Sequence, residues 1–157
     1  MLQLGSLSLL LLLLLAVVCH ADVIQYQMCP DSVDVCSIDE VRVDPCPQAA
    51  TNTPCRLRRR HPSRISFDFT PKFDAEHLVS SLGWAKSETE ELPLLTLERD
   101  SCKNTQCPVK ANVQQTYAID VPIDAKFPMS TYTIRWALKD EVSSKRCCFT
   151  IVIKVVR

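Results

Sequence analysis

The chain has 157 residues, room for one domain of ordinary size, and its eighteen basic and eighteen acidic side chains cancel to zero net charge. Neutrality removes the long-range attraction that carries proteins to nucleic acid, and no aromatic-basic surface pattern replaces it. Nine cysteines in so short a chain point to an oxidising compartment.

The chain opens on an apolar run, Leu9 to Leu15 followed by Ala16, Val17 and Val18, with no charged side chain before Asp22. The run is shorter than the ~20 apolar residues needed to span a bilayer. It ends in the small-residue stretch Cys19-His20-Ala21. Residues 1–21 are therefore expected to be a signal peptide cleaved after Ala21, with a signal anchor as the competing reading. Removing the segment takes Cys19 with it and leaves eight cysteines, an even number suited to a disulfide framework. The remaining 22–157 are expected to form one domain, secreted to the extracellular space or held in a lysosomal lumen.

Strand candidates then follow in order. Ile38–Val43 comes first, before a proline-rich, loop-like stretch from Pro45 to Pro62. Ile65, Phe67 and Phe69 alternate with Ser66, Asp68 and Thr70. Leu78–Trp84, Leu94–Glu98 and Tyr117–Ile123 are weaker candidates, and a helical turn over Asp74–Ser81 is the alternative for the first of these. Tyr132, Ile134, Trp136 and Leu138 alternate cleanly, and so do Phe149, Ile151, Ile153 and Val155. Period-two patterning puts one set on an inner face. Ten prolines act as breaks, and with only two glycines the connections are not tight glycine hairpins. About seven short strands in such a length predict an all-β, immunoglobulin-like antiparallel β-sandwich, stapled by disulfides.

Signatures of catalysis are missing. The sequence holds no Gly-x-Ser-x-Gly, His-Glu-x-x-His or phosphate-cradling glycine loop, and the only histidines beyond the leader are His61 and His77. No catalytic residue, metal site or cofactor is expected.

Several fragments, in order, resemble the ML lipid-recognition domain family, most closely the Niemann–Pick type C2 sterol carriers. They are Val41-Arg42-Val43-Asp44-Pro45-Cys46-Pro47, Asp100-Ser101-Cys102 with Cys107-Pro108-Val109, Tyr117-Ala118-Ile119 with Val121-Pro122-Ile123 and Phe127-Pro128, Ile134 to Asp140, and Cys148-Phe149. The resemblance implies disulfides Cys29–Cys148, Cys46–Cys55 and Cys102–Cys107. Cys36 and Cys147 are additional to the family pattern and are expected to pair with each other. Neighbouring strand residues face opposite sides, so the adjacent Cys147 and Cys148 do not easily share one environment, but swapped partners for them stay open because eight cysteines permit many connectivities.

The resemblance also implies an apolar slot between the sheets for a sterol or related lipid. Matching positions at the lining and mouth are Leu94, Ile123 and Phe127. Val43, Ile65, Phe67, Leu82, Trp84, Leu92, Val121 and Trp136 match further apolar lining. In a closed sandwich the same residues are plain core. The implied partners are the lipid itself and a membrane surface or lipid-transfer protein, with the chain acting as a monomer.

Two stretches depart from the sterol carriers. The Cys46–Cys55 loop is longer and runs into Arg56, Arg58, Arg59 and Arg60. That run reads as a solvated loop, as a cradle for an anionic headgroup, or as a basic processing site. Ahead of Leu94, the segment Lys86 to Glu91 is acidic where the carriers are apolar. Three functions remain open: sterol carriage, innate-immune recognition of a microbial lipid such as lipopolysaccharide, and a sandwich that binds only protein.

Overall fold

The computed structural model describes residues 22–87, 90–94 and 97–157; the expected signal peptide lies outside them. Two sheets face one another. The first contains β1 (Asp22–Val23), β3 (Cys36–Asp44), β5 (Pro62–Pro71) and β8 (Gln115–Pro122), in that spatial order and antiparallel throughout. The second runs β2 (Gln27–Met28), β10 (Arg146–Val156), β9 (Thr131–Lys139), β6 (Val79–Ala85) and β7 (Glu91–Pro93). A sixth strand, β4 (Cys55–Arg58), lies parallel to the last residues of β10.

Alternation in the sequence becomes alternation in burial. Along β5, Ser63, Ile65, Phe67, Phe69 and Pro71 are buried while the residues between them face outward. Outside the first sheet, the Arg42 guanidinium makes two 2.8 Å bonds to the Asp68 carboxylate and also pairs with Glu40, and Thr116 donates to Asp68 at 2.6 Å. The Arg42 hydrogen bonds, helped by that from Thr116, hold the Asp68 carboxyl below its ordinary pKa.

Four disulfides close the fold: Cys29–Cys148, Cys36–Cys147, Cys46–Cys55 and Cys102–Cys107. Cys147 points into the main core, whereas Cys148 sits on the other face of β10, buried with Cys29 and Ala137 in a small separate cluster. Two of the bridges, Cys36–Cys147 and Cys46–Cys55, join the sheets on the β3–β10 side. On the opposite side, where β6 and β7 face β8, no disulfide joins the sheets among the described residues. The segment 97–114 lies there, closed on itself by Cys102–Cys107.

Two expectations and one alternative need correction. The short strand beside β6 is Glu91–Pro93, ahead of the expected Leu94–Glu98: Leu94, Leu97 and Glu98 lie outside it. No helical turn forms over Asp74–Ser81, because Val79 already pairs with Lys139 in the sheet. The stretch 45–62 is not all loop, since Cys55–Arg58 pairs with Ile153–Val156.

Candidate functional site

Register divides the inner faces into an aromatic end and an aliphatic end. At the aromatic end Phe67 lies opposite Tyr117 across β5 and β8, and Trp136 lies opposite Phe149 across β9 and β10. Phe67 stacks on Tyr117 with centroids 5.1 Å apart and meets Trp136 and Phe149 edge-on at 5.7 and 4.8 Å. Such offset and edge contacts suit the ring quadrupoles. One buried hydroxyl serves this layer: Trp136 Nε1 donates to Ser80 Oγ at 3.2 Å, and the Tyr117 hydroxyl bonds the same oxygen at 3.4 Å. Burial pushes the Tyr117 phenol pKa up, so it stays neutral.

Beside this aromatic layer the inward side chains are mostly aliphatic. Ile65 and Val121, Leu82 and Ile134, then Ile151, Ile153 and Val155 surround a slot between the sheets, and Leu57 of β4 closes one side. Leu94, Leu97, Pro122, Ile123 and Phe127 complete the lining. Among the described residues, no polar side chain lines it. A polar group left unpaired there would cost about 1–3 kcal/mol. The void measures ≈ 40 Å³, well under the ~300–1,000 Å³ of ordinary small-molecule pockets. A ligand of sterol size therefore needs a wider slot than this one.

Of the residues singled out in the sequence, Leu94, Ile123, Phe127, Ile65, Leu82 and Val121 come together around this slot. Val43, Phe67 and Trp136 do not line it: they are fully buried in the packed core, the last two in the aromatic layer. Leu92 is largely exposed on β7, beyond the slot. Trp84 packs edge-on against Tyr132 at 5.2 Å, and Tyr132 meets Phe127 at 6.0 Å. The Tyr132 hydroxyl donates to Pro128 O at 2.8 Å, fixing the turn that carries Phe127. Leu57, Leu97, Pro122, Ile134, Ile151, Ile153 and Val155 line the slot although sequence reasoning did not select them. The period-two pattern of β10 and β9 had marked four of them as inward, but not on which side of the aromatic layer.

The acidic stretch before Leu94 is partly engaged. Glu91 accepts from Arg135 at 3.1 Å, crossing the outer face of β6 at Gly83. A Cβ added at Gly83 would lie 2.2 Å from the Glu91 carboxylate, so this glycine gives the side chain its path. Lys86 pairs with Glu90 and sits 5.4 Å above the Trp84 ring.

The four arginines do not converge. Arg56 and Arg58 face outward from β4 on either side of buried Leu57. With His61 and Arg157 they edge a surface groove floored by Pro45, Pro47, Pro62 and Val156. Arg59 instead donates to Ala125 O at 3.0 Å, and the Arg60 amide donates to Ile123 O at 2.7 Å. These two bonds anchor the β4–β5 turn to the loop that carries Ile123 and Phe127.

A family model for the ML domain matches residues 23–155. The chain belongs to the ML-domain family. An MD-2-related lipid-recognition protein of Manduca sexta is 36% identical over 123 residues, covering 77% of each chain. An ecdysteroid-regulated 16 kDa protein of the same insect is 26% identical over 113 residues, 71% of this chain and 76% of its own. Among solved structures, a Niemann–Pick type C2 protein from Japanese carpenter ant superposes with a TM-score of 0.73 at 18% identity, over 84% of this chain and 99% of its own, a likeness of fold. This ML domain is thus a non-catalytic member of a lipid-binding family whose proteins work outside the cell or in the lysosome.

Proposed function

We propose that this ML domain carries a sterol or a closely related lipid in the slot between its sheets and transfers it at a membrane or to a partner protein. One observation carries the reading: a slot lined only by apolar side chains lies between strands of both sheets. Burying on the order of 300 Å² of ligand surface gains roughly 7 kcal/mol before association costs. That gain is available to widen the slot. A leader over residues 1–21 would deliver the domain to a secretory compartment.

The groove edged by Arg56, Arg58, His61 and Arg157 favours a second reading, recognition of a lipid with an anionic headgroup, including microbial lipopolysaccharide. Titration of the secreted protein with a fluorescent sterol tests the first reading. Saturable binding that Ile123→Asp abolishes without unfolding the domain is the expected result. Equal binding by a folded Ile123→Asp variant rules out the slot. For the second reading, lipopolysaccharide should bind and should weaken as salt rises.

A further inference from the structure

We propose that the Cys102–Cys107 disulfide is a thiol-exchange site, opened by a glutathione-like or protein dithiol that attacks the Cys107 sulfur while His77 stabilises the departing Cys102 thiolate. The inference does not depend on which lipid is bound.

Exposure separates this bridge from the other three. Cys29, Cys36, Cys46, Cys55, Cys147 and Cys148 are each 5% exposed or less, whereas Cys102 and Cys107 are both only half-buried. An external thiol can reach only a sulfur that solvent reaches. The bridge also closes the shortest loop, five residues in sequence separation, so it contributes least to holding the chain together.

Its chemical surroundings are specific. His77 is exposed, and its Nδ1 lies 3.6 Å from Cys102 Sγ. The Asp100 carboxylate completes the group: a carboxylate oxygen, a His77 ring nitrogen and Cys102 Sγ all lie within 4.8 Å of one another. Asp100 Oδ1 also accepts from the Cys102 amide at 3.1 Å. The nearby Lys103 is engaged by Glu98 at 2.6 Å. His77 is therefore the group placed to donate a hydrogen bond to this sulfur, with the Asp100 carboxylate close to both. Without His77, the Asp100 charge would face a developing thiolate alone.

The exchange balances simply. A thiolate bonds to Cys107 Sγ as the Cys107–Cys102 bond breaks, and the electron pair leaves on Cys102 Sγ beside His77. A second thiol of the reductant then attacks the mixed disulfide, leaving two protein thiols and one oxidised reductant. Better stabilised thiolates leave faster. The loop would stay in place when opened, because its ends are held independently. The Ser101 amide donates to Leu78 O at 3.0 Å, and Ala75 and Val109 exchange backbone bonds at 3.1 and 2.9 Å. Reoxidation would then restore the same bridge. The site lies within the segment 97–114, which leads from slot-lining Leu97 to β8.

The test treats the oxidised full chain with increasing reduced glutathione, quenches with N-ethylmaleimide and maps the peptides by mass spectrometry. Cys102 and Cys107 should open while the other six cysteines stay paired. The first adduct should carry glutathione on Cys107 and maleimide on Cys102. His77→Leu should slow opening by roughly threefold or more, the effect of about one unit in leaving-thiol pKa, and should scramble that preference. Another disulfide opening first or together with this one overturns the proposal. So does glutathione found mainly on Cys102, or a His77→Leu variant with unchanged or faster opening.

Discussion

Cys29–Cys148 and Cys36–Cys147 span 119 and 111 residues, yet they are nested: Cys36 follows Cys29 by seven residues and Cys147 immediately precedes Cys148. With both intact, either one closes only a short extra loop of roughly nine residues. In the chain-entropy account, removing one pair as Cys→Ala then costs about 2.5 kcal/mol, plus a packing loss for each buried sulfur. Removing the second opens the whole long loop and costs about 5 kcal/mol more. The combined loss, about 7 kcal/mol, is comparable to the full stability of many domains. Chemical denaturation of Cys36→Ala/Cys147→Ala, of Cys29→Ala/Cys148→Ala and of the fourfold variant measures all three. Each pair variant should unfold cooperatively at a modestly lower midpoint, and the fourfold variant should lose its cooperative transition. Should either pair variant alone cost about 5 kcal/mol in excess of packing, the bridges would be acting as independent long-range ties and the nesting argument would fail.

Other consequences can be checked separately. Phe127→Asp should abolish sterol binding while leaving the thermal midpoint nearly unchanged, since Phe127 is only partly buried at the rim; a folded variant that still binds would remove Phe127 from the mouth. Trp136→Phe breaks the bond to Ser80 Oγ and leaves a gap in the aromatic layer, for a loss of about 2–3 kcal/mol by denaturation. Because Trp136 is behind the slot and not in it, the affinity for sterol should stay within about twofold, on the usual rule that only lost contacts weaken binding; a large loss of affinity would extend the slot through that layer. Asp68 titrates below the ordinary carboxylate range when folded, so its contribution is present above the unfolded value near ~4 and disappears as pH falls through the folded one. Asp68→Asn should therefore flatten the acid limb of a stability–pH curve. Some of that limb should remain, because hydrogen bonds from Ser143 hold Asp140 low as well; an unchanged curve would show that the Arg42 pair contributes nothing.

How far the sequence reached differed from element to element. The runs through Phe67, Trp136 and Phe149 were readable because each buries alternate residues, and burial on one face is what fixes a strand's register. β4 escaped notice because it is only four residues long, with Cys55 and Leu57 inward, and its pairing is parallel to a strand about a hundred residues later. Nothing local specifies such a partner. β7 escaped for a similar reason, being three residues long and ending at Pro93. The slot posed a different problem. Alternation identifies what faces inward, but it does not separate Phe67, which packs in the aromatic layer, from Ile65, two residues earlier, which faces the void. That distinction appears only when the strands are in register, with Phe67 opposite Tyr117, Trp136 opposite Phe149 and Ile65 opposite Ile119. Leu57 and Val155 could be added only once β4 was known to run beside β10.

The central claim is that the slot holds a lipid, and native mass spectrometry of the secreted, oxidised protein, followed by solvent extraction and lipid identification, tests it most directly. A stoichiometric sterol-class adduct, lost in Ile123→Asp, is the result this account predicts. A folded protein that emerges without lipid and also refuses added sterol, fatty acid and lipopolysaccharide would contradict it, and would make the ≈ 40 Å³ void a packing defect in a closed sandwich.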